Sequence, residues 1–207
     1  LDDLLLTGWL TAREAPLRLV GPAGTRALAE GLEAAHTVGV DARSRSLGLA
    51  PGGARFEVLE VEDGWEARSG GLSVRAAALA GGPTPALAYR FEAAGRSVVV
   101  GTAGWGEEQL VALATGADAL VHDAFWSGSL EHAIEAGADD PERLRREATW
   151  LTPLEGVGAI AARAGVGTLI LTRLCPPPLY DFMFGRPVAE TFDGRLVIDK
   201  DGKQITL

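Results

Sequence analysis

Two residues with acid–base chemistry, His122 and Asp123, stand together after the apolar run Ala119-Leu120-Val121. In open α/β sheets, polar residues at the carboxyl ends of strands line the ligand crevice. There an imidazole can act as general acid or base, with the neighbouring carboxylate orienting it. The bland alternative has His122 bonded to a nearby loop and Asp123 capping the next turn. Arg173 follows the apolar run Thr168-Leu169-Ile170-Leu171 in the same manner. A guanidinium at that place favours an anionic ligand through paired hydrogen bonds, or forms a salt bridge to a local acid such as Asp181. Gly101-Thr102-Ala103-Gly104, after Ser97-Val98-Val99-Val100, offers backbone amides to an anion or makes an ordinary strand-to-helix turn. Trp105, Trp126 and Trp150 fall just beyond strands or at helix starts, and with Tyr180 they are candidate binding residues. Aromatics so placed line a pocket or finish a core. His36 reads as a cap at a helix end and His132 as an exposed helical residue. No two histidines have metal-ligand spacing, and the single cysteine, Cys175, excludes an internal disulfide framework and a cysteine-based zinc site.

The elements that must position these groups alternate along the chain. Strands are expected at residues 17–20, 56–61, 72–79, 86–92, 97–100, 119–121 and 168–171. Helices are expected at about 25–35, 107–115, 129–136, 142–148, 154–164 and 188–192. Residues 38–53 read as irregular. Residues 196–198 and 204–207 read as a terminal hairpin, with Asp201-Gly202 as its turn. Hairpins first and βα alternation later suggest layered α/β with a mixed sheet.

The chain has 207 residues with 47% hydrophobic and 23% charged, enough for one domain with its own core. Its 28 acidic and 19 basic side chains give a net charge of −9, so nucleic acid is not an expected partner. No apolar run reaches the roughly 18 residues of a membrane span. Asp2 and Asp3 stand where a secretory signal would be positive. A cytoplasmic location is expected.

The order of segments resembles the metallo-β-lactamase superfamily, in its ribonuclease Z-like and phosphodiesterase-like hydrolase branch. Residues 4–10 with Leu17-Arg18-Leu19-Val20-Gly21-Pro22 look like the segment after the family's first metal motif. Gly82-Pro83-Thr84-Pro85-Ala86-Leu87-Ala88-Tyr89-Arg90 looks like its central hairpin. Ala119-Leu120-Val121-His122-Asp123-Ala124 is similar to its H-E-A element, and residues 154–171 look like its last helix and strand. The resemblance implies a four-layer αββα sandwich with two metal ions at one edge. It also implies a single domain over residues 1–207, N-terminally incomplete and lacking the leading strands, since the first ligand motif, H-x-H-x-D-H, would lie before Leu1.

At four further ligand positions that the comparison marks, this chain has Gly81, Ala103, Trp150 and Arg173. Glycine and alanine offer no ligand atom, indole is a donor only, and arginine is a cation without a lone pair to give. In the family, the pair matching His122 and Asp123 supports the site and does not hold the metals. No cofactor is therefore expected, with zinc the expectation if the ligand-loss reading is wrong. The implied function is a binding or assembly subunit that has lost its metal ligands. The alternative is a hydrolase of phosphodiesters, lactones or esters, metal-dependent or residual and metal-free. A homo-oligomer, or a partner chain covering the incomplete sheet, is expected, with a possible small anionic ligand. Arg173 is expected to be buried at the old site and paired with Asp123, Asp181 or Glu107, with Trp105 and Trp150 completing a plug.

Overall fold

A computed structural model describes residues 1–102, 104–176, 182–198, 202 and 204–207. Sequence analysis reads one domain over residues 1–207; the chain divides into two compact units, Leu1–Glu62 and Asp63–Leu207. The first holds helix α1 (Asp2–Leu10), strand β1 (Leu17–Gly21), helix α2 (Thr25–Leu47), a 3-10 turn (Pro51–Ala54) and strand β2 (Phe56–Glu60). β1 and β2 are not a hairpin. They pair in parallel, Leu17 opposite Phe56 through Gly21 opposite Glu60. A parallel pair needs a long crossover, which α2 supplies.

α2 runs twelve residues beyond the expected 25–35 and ends at Gly48, whose φ of 67° lies in the left-handed region. Apolar periodicity fades there because α2 buries little along its length, and only Ala29 is fully buried. The start of α2 is fixed from across the unit: the Glu60 carboxylate accepts from the Gly24 and Arg26 amides at 2.8 and 3.0 Å. These amides, Arg26 first, hold Glu60 below the usual carboxylate range. His36 lies inside α2 and not at its end, 3.4 Å from the Asp2 carboxylate.

In the second unit, seven described strands form one sheet in the order β3 to β9. These are β3 (Glu66–Ser69), β4 (Leu72–Ala78), β5 (Leu87–Ala93), β6 (Arg96–Val100), β7 (Ala119–Phe125), β8 (Thr168–Cys175) and β9 (Arg195–Ile198). β3 to β6 form an antiparallel meander and β6 to β9 are parallel. Ala94 and Gly95, with φ of 49° and 75°, close the β5–β6 hairpin in the doubly left-handed turn that matches strand twist. The parallel strands are joined by α3 (Glu107–Ala114), then α4 (Ser127–Glu135), α5 (Pro141–Ala148) and α6 (Leu154–Ala164), then α7 (Phe182–Ala189).

Alternation along the strands divides the apolar side chains between two faces. Val99, Leu120, Leu169 and Leu171 pack with Leu110 of α3, Val157 and Ile160 of α6, and Phe184 and Val188 of α7 in the main core. Ala119, Ile170 and Val197 form a smaller cluster with Val98 and Val121. β7 and β8 both outrun their expected ends at residues 121 and 171. The ladder continues through His122 opposite Leu171 and Asp123 opposite Thr172, so polar residues extend the strands where apolar ones stop. The expected terminal hairpin does not form. β9 pairs with β8, and residues 204–207 are not a strand, although the Arg195 guanidinium donates to the Thr206 carbonyl at 2.9 Å. Asp201 lies outside the described residues.

Candidate functional site

Parallel β6, β7 and β8 end at one edge of the sheet. The β4–β5 connection opens at the same edge, because Tyr89 near the start of β5 lies opposite Val100 at the end of β6. Gly81, the turn after β6, His122-Asp123 and Arg173 are thus gathered by topology alone. Two backbone bonds draw in the segment before α6: Gly104 N–H donates to the Trp150 carbonyl at 3.2 Å, and Phe125 N–H donates to the Thr152 carbonyl at 3.0 Å. Ala103, Tyr180 and Asp181 lie outside the described residues.

His122 has no exposed surface and Asp123 is 8% exposed. The His122 Nδ1–H donates to the Asp123 carbonyl, which fixes the tautomer and leaves Nε2 as the lone-pair nitrogen. The Asp123 Oδ1 lies 3.2 Å from the same ring nitrogen, and its Oδ2 accepts from the Thr102 hydroxyl at 2.9 Å. Burial pushes the imidazole below its usual range, against a smaller upward pull from the Asp123 carbonyl and carboxylate. His122 Nε2 and Asp123 Oδ1 are buried without a hydrogen-bond partner. Gly101 is small of necessity: a Cβ there would meet the His122 ring at 2.9 Å and Leu110 at 2.8 Å. Two of the turn amides are not free for an anion, since Gly101 N–H donates to the Val121 carbonyl at 2.9 Å and Gly104 N–H donates to the Trp150 carbonyl. Sequence analysis misses Thr102 as the clasp on Asp123; a lone threonine in a small-residue turn carries no signal for it.

The tryptophans divide by position. Trp105 and Trp150 meet edge to face, with ring centroids 5.8 Å apart. The Trp105 ring covers Gly82 so closely that a Cβ there would overlap it. Trp105 and Trp126 pack against the main core, whereas Trp150 is 48% exposed. Trp126 precedes α4, and its N–H donates to the Cys175 carbonyl at 2.9 Å.

Arg173 departs from the expected plug. It is exposed, with a left-handed φ of 48° inside β8, and no described residue pairs with it. Asp123 is engaged by Thr102, and Glu107 and Glu108 both pair with Arg163. A strand residue turned into the left-handed region leaves the regular pleat. The ladder is also irregular between Asp123 and Phe125. Arg173 therefore does not continue the buried face of Leu171.

A zinc centre needs about three protein ligands and an open position. At this edge the described residues offer one imidazole nitrogen and one carboxylate from adjacent positions, beside glycine, indole and guanidinium. Among the described residues no group of three or more His, Cys, Asp or Glu is placed to hold a metal. The described residues do not by themselves supply the two-metal centre of the family that the sequence resembles. Chemically, the edge carries an exposed cation, an indole pair and a buried imidazole.

Known proteins agree on the class. The fold is shared with the metallo-β-lactamase fold protein YhfI from Bacillus subtilis, with a TM-score of 0.63 at 15% identity over 97% of this chain and 69% of that one. Human tRNase Z, short form, matches with a TM-score of 0.55 at 17% identity over 84% and 66%. These likenesses define a metallo-β-lactamase fold. No family model matches the sequence. A ribonuclease Z of Mycobacterium bovis (strain BCG / Pasteur) is 31% identical over 97% of this chain and 72% of its own length. A ribonuclease Z of Mycobacterium sp. (strain KMS) is 33% identical over 86% of this chain, which spans 61% of that protein. The chain belongs to the ribonuclease Z family of metallo-β-lactamase-fold hydrolases.

Proposed function

We propose that this chain is a metal-free member of its family, working as a binding or assembly subunit. The observation that carries this reading is the donor set at the strand-end edge. Gly81, Trp150 and Arg173 give no lone pair to a metal, and the indole pair Trp105–Trp150 stands among them. A guanidinium unpaired among the described residues suits a small anionic ligand there. Association with a second copy or another chain would make it an assembly subunit. Residual metal-free hydrolysis through His122 gains little support, because the ring has no exposed surface. Among the described residues no helix is long and apolar enough to cross a membrane.

The test is elemental analysis after zinc loading and dialysis. It compares the native chain with a variant carrying Gly81→His, Ala103→Asp, Trp150→His and Arg173→His. The native chain should hold substoichiometric zinc and the variant should gain it. Stoichiometric zinc in the native chain, lost on Asp123→Ala, overturns the proposal. A second reading, metal-dependent hydrolysis of phosphodiesters, lactones or esters, is favoured by the ribonuclease Z relatives at 31–33% identity. Chelator-sensitive cleavage of bis(4-nitrophenyl) phosphate by the native chain would establish it. Activity that persists in chelator would return the residual metal-free mechanism.

A further inference from the structure

α4 and α5 form a helical pair without one fully buried residue. Surface helices ordinarily bury an apolar stripe. Here the stripes wall a cavity of about 250 Å³, whose described apolar lining includes Phe125, Leu130, Ala133, Leu144, Leu151 and Pro176. Leu130 and Ala133 are three apart on α4, and Leu144 and Ala148 four apart on α5, so each helix turns one face to the cavity. The charged member of the wall among the described residues, Glu147, pairs with Arg143 at 2.7 Å. The Ser129 hydroxyl is taken by the Trp126 carbonyl at 2.6 Å. Cys175, a free and exposed thiol at the end of β8, also lines the cavity.

Arg173 precedes Cys175 by two positions in β8. Its guanidinium is exposed and unpaired among the described residues. An apolar cavity whose lining residue Cys175 stands two positions after a cation unpaired among the described residues is complementary to a small amphipathic anion. The volume falls just under the roughly 300–1,000 Å³ of drug-sized sites, which suits a single chain of medium length. We infer that this cavity binds a medium-chain aliphatic carboxylate, its tail among Leu130, Leu144 and Leu151 and its head on Arg173. The inference rests on Arg173 being free for an anion, as proposed above, and not on the absence of a metal. Measurements with and without chelator therefore separate its failure from that of the metal-free reading.

The probe is octanoate, and the readout is the rate at which iodoacetamide alkylates Cys175. Octanoate should slow alkylation with or without chelator. Each methylene removed, through hexanoate to butanoate, should weaken binding about fourfold. Octan-1-ol keeps the tail and loses the charge, so it should bind roughly tenfold or more weakly. Arg173→Ala should reduce octanoate to the level of the alcohol and leave the alcohol unchanged. Ala148→Phe and Ala133→Phe, which fill the cavity from opposite helices, should abolish protection by both. Thermal melts check their folding, and the chain-length series on the native protein decides the matter if both misfold. Equal affinity for octanoate and octanol, no dependence on chain length, or octanoate binding unmoved by Arg173→Ala would each overturn the inference.

Discussion

Arg173 separates a filled edge from an open one, and its backbone makes the separation measurable. At a φ of 48° the residue sits where an L-side chain costs roughly 1–2 kcal/mol. Its side chain is exposed and unpaired among the described residues, so Arg173→Ala should change stability by no more than about 0.5 kcal/mol. Arg173→Gly removes the Cβ clash and recovers the strain. The freer unfolded chain returns about 0.4–1 kcal/mol of that gain. The glycine variant should therefore be between roughly zero and 1.5 kcal/mol more stable than the native chain. For a chain of this size each kcal/mol moves Tm by about 2–4 °C. Urea unfolding followed by tryptophan fluorescence measures all three proteins, since Trp105 and Trp150 report on the edge itself. A buried, paired guanidinium predicts the opposite order, because breaking such a pair leaves an uncompensated charge. A loss above about 1–2 kcal/mol for Arg173→Ala would refute the open edge. A glycine variant less stable than the alanine one would refute the strain.

Stability should also depend on His122. Burial keeps its folded imidazole neutral below the usual range, whereas the unfolded chain takes up a proton near pH 6.5. The contribution is therefore fully present above about pH 6.5. It is lost as pH falls toward the lower folded value, by up to about 1.4 kcal/mol per pH unit. Urea unfolding at pH 7.5 and 5.5, native against His122→Asn, isolates this slope, and an equal slope in both would sink the assignment. Gly104→Ala places a Cβ 2.7 and 2.8 Å from the Leu151 and Thr149 carbonyl oxygens. It should cost about 1–3 kcal/mol and disturb the near-ultraviolet dichroism of the Trp105–Trp150 pair. An unchanged spectrum would mean that the turn does not position Trp150.

The sequence marks apolar runs well and their polar continuations poorly. Ala119-Leu120-Val121 and Thr168-Leu169-Ile170-Leu171 are legible as buried strands because both faces are covered. The extensions through Phe125 and Cys175 are not, because His122, Asp123 and Arg173 break the apolar pattern while the ladder runs on. α2 is half legible for the related reason that a helix exposing most of its length has no stripe to read. The convergence of Gly81, Trp150 and Arg173 at one edge follows from the order of segments. The state of Arg173 does not follow from it. A guanidinium at a strand end reads as buried or free according to its φ and its neighbours' partners, and neither is written in residue type. The reverse holds for the cavity under α4 and α5, whose amphipathic stripes are visible in sequence but whose failure to close over a core is not.

The strand-end edge is held together by the pair that sequence analysis singles out first. His122 and Asp123 bury two polar atoms without partners, each costing about 1–3 kcal/mol if water is excluded. Against that cost stand two fastenings. The imidazole N–H closes on the Asp123 carbonyl, and the carboxylate takes the Thr102 hydroxyl from the turn after β6. That turn then holds the segment before α6 through the bond from Gly104 to Trp150. The chain of contacts runs from β7 to the turn and from the turn to the indole pair, and none of its links needs a metal. A glycine, a tryptophan and an arginine can therefore stand at the marked positions without the edge collapsing. The restored-ligand variant should accordingly find its new side chains already gathered, whether or not they then take up zinc.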